Sequence, residues 1–468
     1  MTLMRVLLLL AIASSCGAQD WGRFRGPNGS GIADGAVIEE PSLAHNLIWT
    51  TPVSTGHSSP VVVGEHVYLT AVDEDKLFTL ALDRRTGRVL WRRQAPRPRL
   101  SRFNGQNNAA SSTPASDGEN VYVFFGEFGL LSYGPDGNER WRVPLGPFVN
   151  IRGMAASPIV VDGKLLIACD DDSGHSFLLA LDATTGEEIW RADRSEFRKA
   201  FSTPAIYRPD QGPAQVLAPG SFTLVSYSLE TGDELWRAGG FCWQPKAVPL
   251  IANGRAYLNC QGASGDAMAG RYPSYAGALA QFDADGDGGL SQEEFYENRR
   301  AVFWEYYFSQ NGSMEQGEWD FFVSRMATRP GLFAIRLGGS GDVSASHVDW
   351  VVDRPLGNVP TPLIYDGVIY SVRNAGILTS IDAQTGEIIK QGRLPDALGA
   401  YYASPIAADG KIFFLDEEGT LTVVRADGQW TVLPSLRLDE GGSATPAIVD
   451  GRLYVRTHEN LYCFGDPE

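Results

Sequence analysis

The stretch "SSPVVVGEHVYLTAVDEDKLFTLALDRRTGRVLW", Ser58–Trp91, decides the fold. Its first half is a small residue, a proline, an apolar strand, a Gly-containing turn and a second strand. Its second half is a strand, a Thr-Gly turn and a strand that ends in tryptophan. The first half recurs as "ASPIVVDGKLLIA", "TPLIYDGVIYSV", "ASPIAADGKIFFL" and "TPAIVDGRLYV", and the second as "LALDATTGEEIW" and "SYSLETGDELW". Asp-Gly pairs at Asp162, Asp366, Asp409 and Asp450 are hairpin signals, because a two-residue turn needs positive φ.

A unit that recurs every 40–50 or so residues predicts a propeller blade. The repeat prolines are Pro60, Pro114, Pro158, Pro204, Pro249, Pro362, Pro405 and Pro446, spaced by 54, 44, 46, 45, 113, 43 and 41. The matching strand ends are Trp91, Trp141, Trp190, Trp236, Trp350, Lys390 and Trp430. The repeat from Pro446 runs out of chain before its tryptophan, while Trp49 precedes the first proline with no repeat to own it. A ring resolves both: the strand around Trp49 completes the last blade and removes an open sheet edge. The prediction is an all-β, eight-bladed β-propeller, with the tryptophans packed between blades rather than doing chemistry.

The spacing of 113 marks an insertion in the fifth blade, expected at 265–332, which divides the propeller into 19–264 and 333–468. Inside it lies "FDADGDGGLSQEEF", Phe282–Phe295. Twelve positions from Asp283 to Glu294 match a helix-flanked calcium loop. Asp283, Asp285 and Asp287 stand at positions 1, 3 and 5, and Gly288 allows the turn at 6. Gly289 offers a carbonyl at 7, Ser291 acts through water at 9, and Glu294 binds with both oxygens at 12. Hard oxygen ligands at this spacing suit Ca²⁺ over softer metals. Both flanks, "YPSYAGALAQF" and "EEFYENRRAVFWEYYF", read as helices. A second loop, "YFSQNGSMEQGEW", has Tyr307 at position 1 and Glu318 at 12, so it reads as a degenerate partner. One Ca²⁺ per chain is expected.

The start "MTLMRVLLLLAIASSCGAQ" reads as a secretory signal over 1–18, with cleavage after Ala18. A lipid anchor at Cys16 is the alternative. No later segment is long and apolar enough to predict a transmembrane helix. The protein is therefore expected in the periplasm or secreted. The formal charge is −17, and loss of Arg5 with the signal takes it to −18, which argues against nucleic acid as partner. Four cysteines remain; Cys242 and Cys260 form a candidate pair, and buried thiols are the alternative.

The segments Asp83–Trp91 and Asp182–Trp190, "D-x-x-T-G-x-x-x-W", resemble the PQQ-type propeller repeat of quinoprotein dehydrogenases. The propeller lipoprotein of the bacterial outer-membrane barrel-assembly machinery shares that repeat. "DWGRFRGPNGSGIA", from Asp20, and "FAIRLGGSGDVSASHVDW", from Phe333, resemble exported bacterial PQQ-binding-like propeller proteins, some of which carry EF-hand inserts. The resemblance implies a PQQ site in the funnel for the dehydrogenase branch. This sequence lacks that branch's adjacent cysteines and any C-x-x-C-H haem motif, so PQQ is not the favoured cofactor.

Six histidines include no i, i+4 pair, and no G-x-S-x-G elbow accompanies His57, Ser58 and Ser59. His57 reads as channel lining. Arg152, Lys246, Asn358 and Tyr401 precede inner strands and form the candidate funnel site for an anionic ligand. The sequence thus predicts a calcium-binding, non-catalytic binding or scaffold protein of the cell envelope, with protein partners. A PQQ-dependent dehydrogenase and an outer-membrane protein assembly factor are the alternatives.

Overall fold

The computed structural model describes residues 20–101, 103, 107–150, 152–261, 270–309 and 311–466. The expected signal peptide and Cys16 lie outside the described residues, as does the start of the insertion over 262–269.

Eight sheets, antiparallel but for one short added edge strand, stand in a ring. Blade one is Val61–Val63, His66–Asp73, Lys76–Asp83 and Val89–Ala95, ordered outward from the axis. Each later blade repeats this meander. The two-residue turns form where the sequence places Asp-Gly: Asp162, Asp366, Asp409 and Asp450 have φ between 47° and 49° or, for Asp409, 51°. Blade eight takes three strands from the C-terminus and its fourth, Leu47–Pro52, from the N-terminus. Trp49 faces Cys463 and Thr51 faces Leu461 across that closing ladder.

The tryptophans lock neighbouring blades. The indole N–H of Trp49 donates to Arg84 O (3.2 Å), Trp91 to Pro135 O (2.8 Å), Trp141 to Ala183 O (3.0 Å), Trp190 to Leu229 O (3.1 Å) and Trp350 to Gln384 O (3.0 Å). Each acceptor sits in the outer turn of the next blade. Each ring lies flat on the glycine of that turn; at Gly87 (φ 73°) an added Cβ would come within 2.5 Å of the Trp49 ring. This is why Thr-Gly and Trp recur together. Gly87→Ala is expected to cost about 1–3 kcal/mol through the positive φ and the clash. A thermal melt checks it: an unchanged melting temperature would show that the indole can slide aside. Trp236 departs from the pattern. Its N–H turns back to Gln215 Oε1 (3.0 Å), and the short strand Gly341–Asp342 adds to its blade edge in parallel. Lys390 replaces tryptophan by donating to Gln429 O and Trp430 O, both at 2.8 Å.

The insertion joins the second and third strands of blade five, Arg255–Cys260 and Gly331–Arg336. Its expected end at 332 runs two residues too far, because Gly331 already pairs with Cys260. It contains α1 (Tyr275–Phe282), a 3₁₀ segment (Glu297–Glu305) and α2 (Gln316–Ala327). The second flank of the acidic loop is thus 3₁₀ rather than α-helical. A three-residue period stacks Phe303 and Tyr306 on one line toward the insert's own core of Phe295, Trp319 and Phe322. Cys242 and Cys260 form a disulfide with Cα atoms 5.1 Å apart, at the root of the insert. Cys169 and Cys463 are free thiols buried in blades.

Candidate functional site

The residue before each repeat proline lies just ahead of the inner strand, at the axis. In seven blades it is Ser or Thr, and the hydroxyls form a belt. Backbone N–H of Ser59 donates to Thr113 Oγ1 (2.9 Å), Thr113 to Ser157 Oγ (3.0 Å), and Ser157 to Thr203 Oγ1 (2.9 Å). Val248 continues to Thr361 (3.0 Å), Thr361 to Ser404 (3.0 Å), and Ser404 to Thr445 (2.9 Å). Six of the seven hydroxyls, all but that of Ser59, accept from the blade before, so their own O–H groups are left to donate elsewhere. The sequence showed a small residue before proline; the belt explains why a hydroxyl is needed there.

A floor closes the axis below this belt. The segment from Trp21 to Ala33 threads across the ring about three residues further along the inner strands. Trp21 bridges Val62, Gly22 O accepts from Ser116 N–H, Asn28 exchanges two hydrogen bonds with Ile206, and Ile32 bridges Ala407. Arg25 is fully buried at its centre. Its guanidinium donates to five carbonyls: Gly29 (3.0 Å), Ser30 (3.1 Å), Thr361 (3.1 Å), Pro362 (2.9 Å) and Pro405 (3.1 Å). Arg23 reaches Pro204 O (2.9 Å) on the other side. This segment was legible in the sequence only as a resemblance; its role as an axial plug is structural.

The insert supplies a roof. Phe321 packs edge-on against Phe222 (5.1 Å) and Trp243 (6.2 Å), and the Arg325 guanidinium lies 3.9 Å over the Trp243 ring. Glu305 Oε1 accepts from Arg152 (3.0 Å) and Oε2 from Arg325 (2.9 Å), which ties the insert to the loop before blade three. Between plug and insert lies a chamber of about 650 Å³. Arg152, Lys246 and Asn358 line it. Tyr401 does not: its ring is 1% exposed in the core between blades six and seven, and the adjacent Tyr402 faces the chamber. Neighbouring residues in an extended segment point to opposite sides, so the expectation missed by one position. Burial, then the nearby Asp416, pushes the Tyr401 hydroxyl pKa up.

The chamber is cationic within an acidic protein. Among the described residues its charged lining is Arg152, Lys246, Arg299, Arg325 and the carboxylate Glu305. Lys246 Nζ donates to Asn358 Oδ1 (2.8 Å), and burial, with Arg152 and Arg325 close by, holds its pKa down to about 8. His57 lines the wall as a neutral ring, lowered to about 4 by burial and by Arg456 and His458. Ser58 is not its partner. Ser58 Oγ donates to Thr70 O (3.2 Å) and accepts from Arg456 (2.6 Å). Arg299, Glu305 and Arg325 escaped the sequence reading because no local pattern shows which distant loop will fold over an axis.

The acidic loop lies on the insert away from the chamber. Asp283, Asp285 and Asp287 bring carboxylate oxygens within 4.8 Å of one another. Asp283 accepts from Gly286 N–H (2.7 Å) and Gly288 N–H (3.2 Å), and Asp287 from Gly289 N–H (2.8 Å). Glu294 closes the loop, accepting from Ser291 N–H (2.9 Å) and Ala284 N–H (2.8 Å), and these donors lower its pKa. Ser291 also reaches back toward Glu294 N–H through Oγ (3.4 Å). Leu290 pairs with Met314 in a two-way backbone bridge (3.2 and 2.8 Å), which joins this loop to the one ending at Glu318. In that second loop the Tyr307 hydroxyl accepts from Gly312 N–H where the first loop has a carboxylate.

This ring with its repeated Trp-Gly locks defines a PQQ-like repeat β-propeller. More narrowly, residues 44–146, 81–240 and 340–467 match the family described as "Outer membrane protein assembly factor BamB", and the chain belongs to that family. The outer membrane protein assembly factor BamB of Yersinia pestis is 23% identical over 288 residues, 59% of this chain and 66% of that protein. The chain therefore matches slightly under two thirds of that relative's length. Similar solved structures include BamB from Moraxella catarrhalis (11% identity, TM-score 0.55, covering 89% of this chain and 98% of that one). A europium-containing methanol dehydrogenase matches at 11% identity and TM-score 0.60, covering 96% and 98%. The quinohemoprotein alcohol dehydrogenase of Comamonas testosteroni matches at 14% and 0.58, covering 96% and 82%. At these identities the structures speak to fold alone. Among the described residues no helix is long and apolar enough to cross a membrane.

Proposed function

We propose that the protein is an exported, calcium-binding propeller that acts as a non-catalytic binding or scaffold protein of the cell envelope, in the periplasm or outside the cell. One observation carries the non-catalytic reading. The chamber offers many hydrogen-bond donors, but its carboxylate among the described residues, Glu305, is spanned by Arg152 and Arg325. Both oxygens of that carboxylate are taken up by guanidinium donors rather than left open to a substrate. The chamber can hold a ligand more readily than it can transform one.

The cations would fit the carboxylates of PQQ, but among the described residues no unpaired chamber carboxylate stands ready for a substrate proton, and the disulfide joins residues 18 apart rather than neighbours. On this reading the residues do not fit a quinoprotein dehydrogenase. The family match favours a second reading, an assembly role for outer-membrane proteins through protein partners.

Ca²⁺ would sit on Asp283, Asp285, Asp287, Ser291, Glu294 and the Gly289 carbonyl, clamping α1 to the bridge at Leu290. Calorimetric titration of chelator-treated protein is expected to give one site per chain, with Kd between about 10⁻⁶ and 10⁻³ M. Asp283→Ala and Glu294→Ala should each abolish it. At a hundredfold excess over Kd the ion adds about 2.7 kcal/mol of stability. Dye-linked alcohol or sugar oxidation after PQQ addition should stay at background. Turnover that needs PQQ would replace this reading with the dehydrogenase.

A further inference from the structure

We propose that the chamber is a binding site for a small organic polyanion, gripped between Arg152 and Lys246 of the propeller and Arg299 and Arg325 of the insert. The ligand class is a molecule with two or more carboxylate or phosphate groups. This inference rests on the reading of the protein as a binding protein and names what the axial site binds.

Three independent features point the same way. The first is charge. Four cationic side chains face one carboxylate inside a chain of net charge −17. Cations confined between low-dielectric walls raise the local concentration of anions. The second is an unanswered donor. Gln244 is 8% exposed and lines the chamber, and its Nε2 has no hydrogen-bond partner among the described residues. A buried amide N–H without an acceptor is unfavourable, and an anionic oxygen supplies one. The third is the belt: the hydroxyls of Thr113, Ser157, Thr203 and Thr361 accept from neighbouring backbone and leave O–H groups to donate inward. Guanidinium, ammonium, amide and hydroxyl donors surround one space.

Glu305 shows how such a ligand is received. Its two oxygens sit 3.0 Å from Arg152 and 2.9 Å from Arg325, so the two guanidinium groups are already set to share one carboxylate. Arg299, Lys246 and Gln244 remain for a second anionic group. The size agrees, since about 650 Å³ falls within the range of roughly 300–1,000 Å³ typical of small-molecule sites. Glu305 is then an internal competitor: it holds the roof on and must share its arginines when ligand enters.

The test is calorimetric titration of the full chain at fixed free Ca²⁺. Benzene-1,3,5-tricarboxylate probes the carboxylate class and fructose 1,6-bisphosphate the phosphate class. The uncharged tricarboxamide is the control. At least one polyanion is expected to bind with Kd below about 1 mM, and the tighter arm identifies the source. Arg299→Gln, which spares the Glu305 bridge, should weaken binding about tenfold. Glu305→Gln should tighten it several-fold, the opposite sign, because one competing charge is gone. Circular-dichroism melts confirm that both variants fold. If neither polyanion binds at about 10 mM, or Glu305→Gln weakens binding as Arg299→Gln does, the cluster only docks the insert and the proposal falls. Calcium is titrated in parallel into chelator-treated protein. Its site surviving a failed anion titration would leave the broader reading standing, and lost calcium binding with intact anion binding would do the reverse.

Discussion

Arg25→Ala is expected to lower the melting temperature by roughly 3–5 °C. Arg25 is 0% exposed, and five carbonyls from three stretches of chain converge on its guanidinium. Truncation leaves those acceptors without a donor and opens a void at the axis. A buried acceptor left unpaired costs about 1–3 kcal/mol, and the five are not additive because water enters the gap. A total of about 3–5 kcal/mol is the expected range. Arg25→Lys should recover little of it. An ammonium has three donors on a flexible stem and cannot span both Pro362 and Pro405. A melt within a degree of wild type would show that the plug is held by Trp21 and Asn28 instead.

Arg194→Met should have a comparable effect at the blade three–four junction. Arg194 and Asp170 form a two-pronged ion pair (2.8 and 2.7 Å), both at 2% exposure or less. Arg194 also donates to Tyr227 Oη (3.0 Å) and Pro219 O (3.0 Å). Removing one partner of a buried pair costs about 3–5 kcal/mol because the other charge is stranded. The sign of the pH dependence follows. Burial already raises the Asp170 carboxyl and Arg194 opposes it. Without Arg194 the folded-state pKa rises further above the unfolded one. The variant's stability is then best below the unfolded carboxylate pKa and is lost as pH rises through the folded value. Chemical denaturation at pH 5 and pH 8 should show the larger deficit at pH 8. The double substitution Asp170→Leu with Arg194→Met should regain most of the loss at both.

The ring was legible because its signals are local and repeated. Pro60 and its seven counterparts, the Asp-Gly turns and the Trp-to-Thr-Gly spacing each sit within one blade or its neighbour. Trp49 was placed by bookkeeping: a strand end without a repeat must complete a repeat without a strand end. The acidic loop was legible for the same reason, since all its groups fall within twelve residues. The chamber was half legible. Position before an inner strand selected Arg152, Lys246 and Asn358, but the side-to-side alternation that separates Tyr401 from Tyr402 depends on backbone angles that composition does not set. The plug and roof were not legible as such. Arg25 meets Pro405, and Arg152 meets Glu305, across separations that no periodicity connects.

The closing ladder between Leu47–Pro52 and Asn460–Phe464 also sets an order in time. The polypeptide emerges N-terminus first, so the strand bearing Trp49 must wait, unpaired, until Asn460–Phe464 has been made. The plug waits as well, because its partners at Thr361 and Pro405 arrive late. A chain that stops short of Asn460 therefore leaves Leu47–Pro52 without a partner and keeps an open, hydrogen-bond-hungry sheet edge.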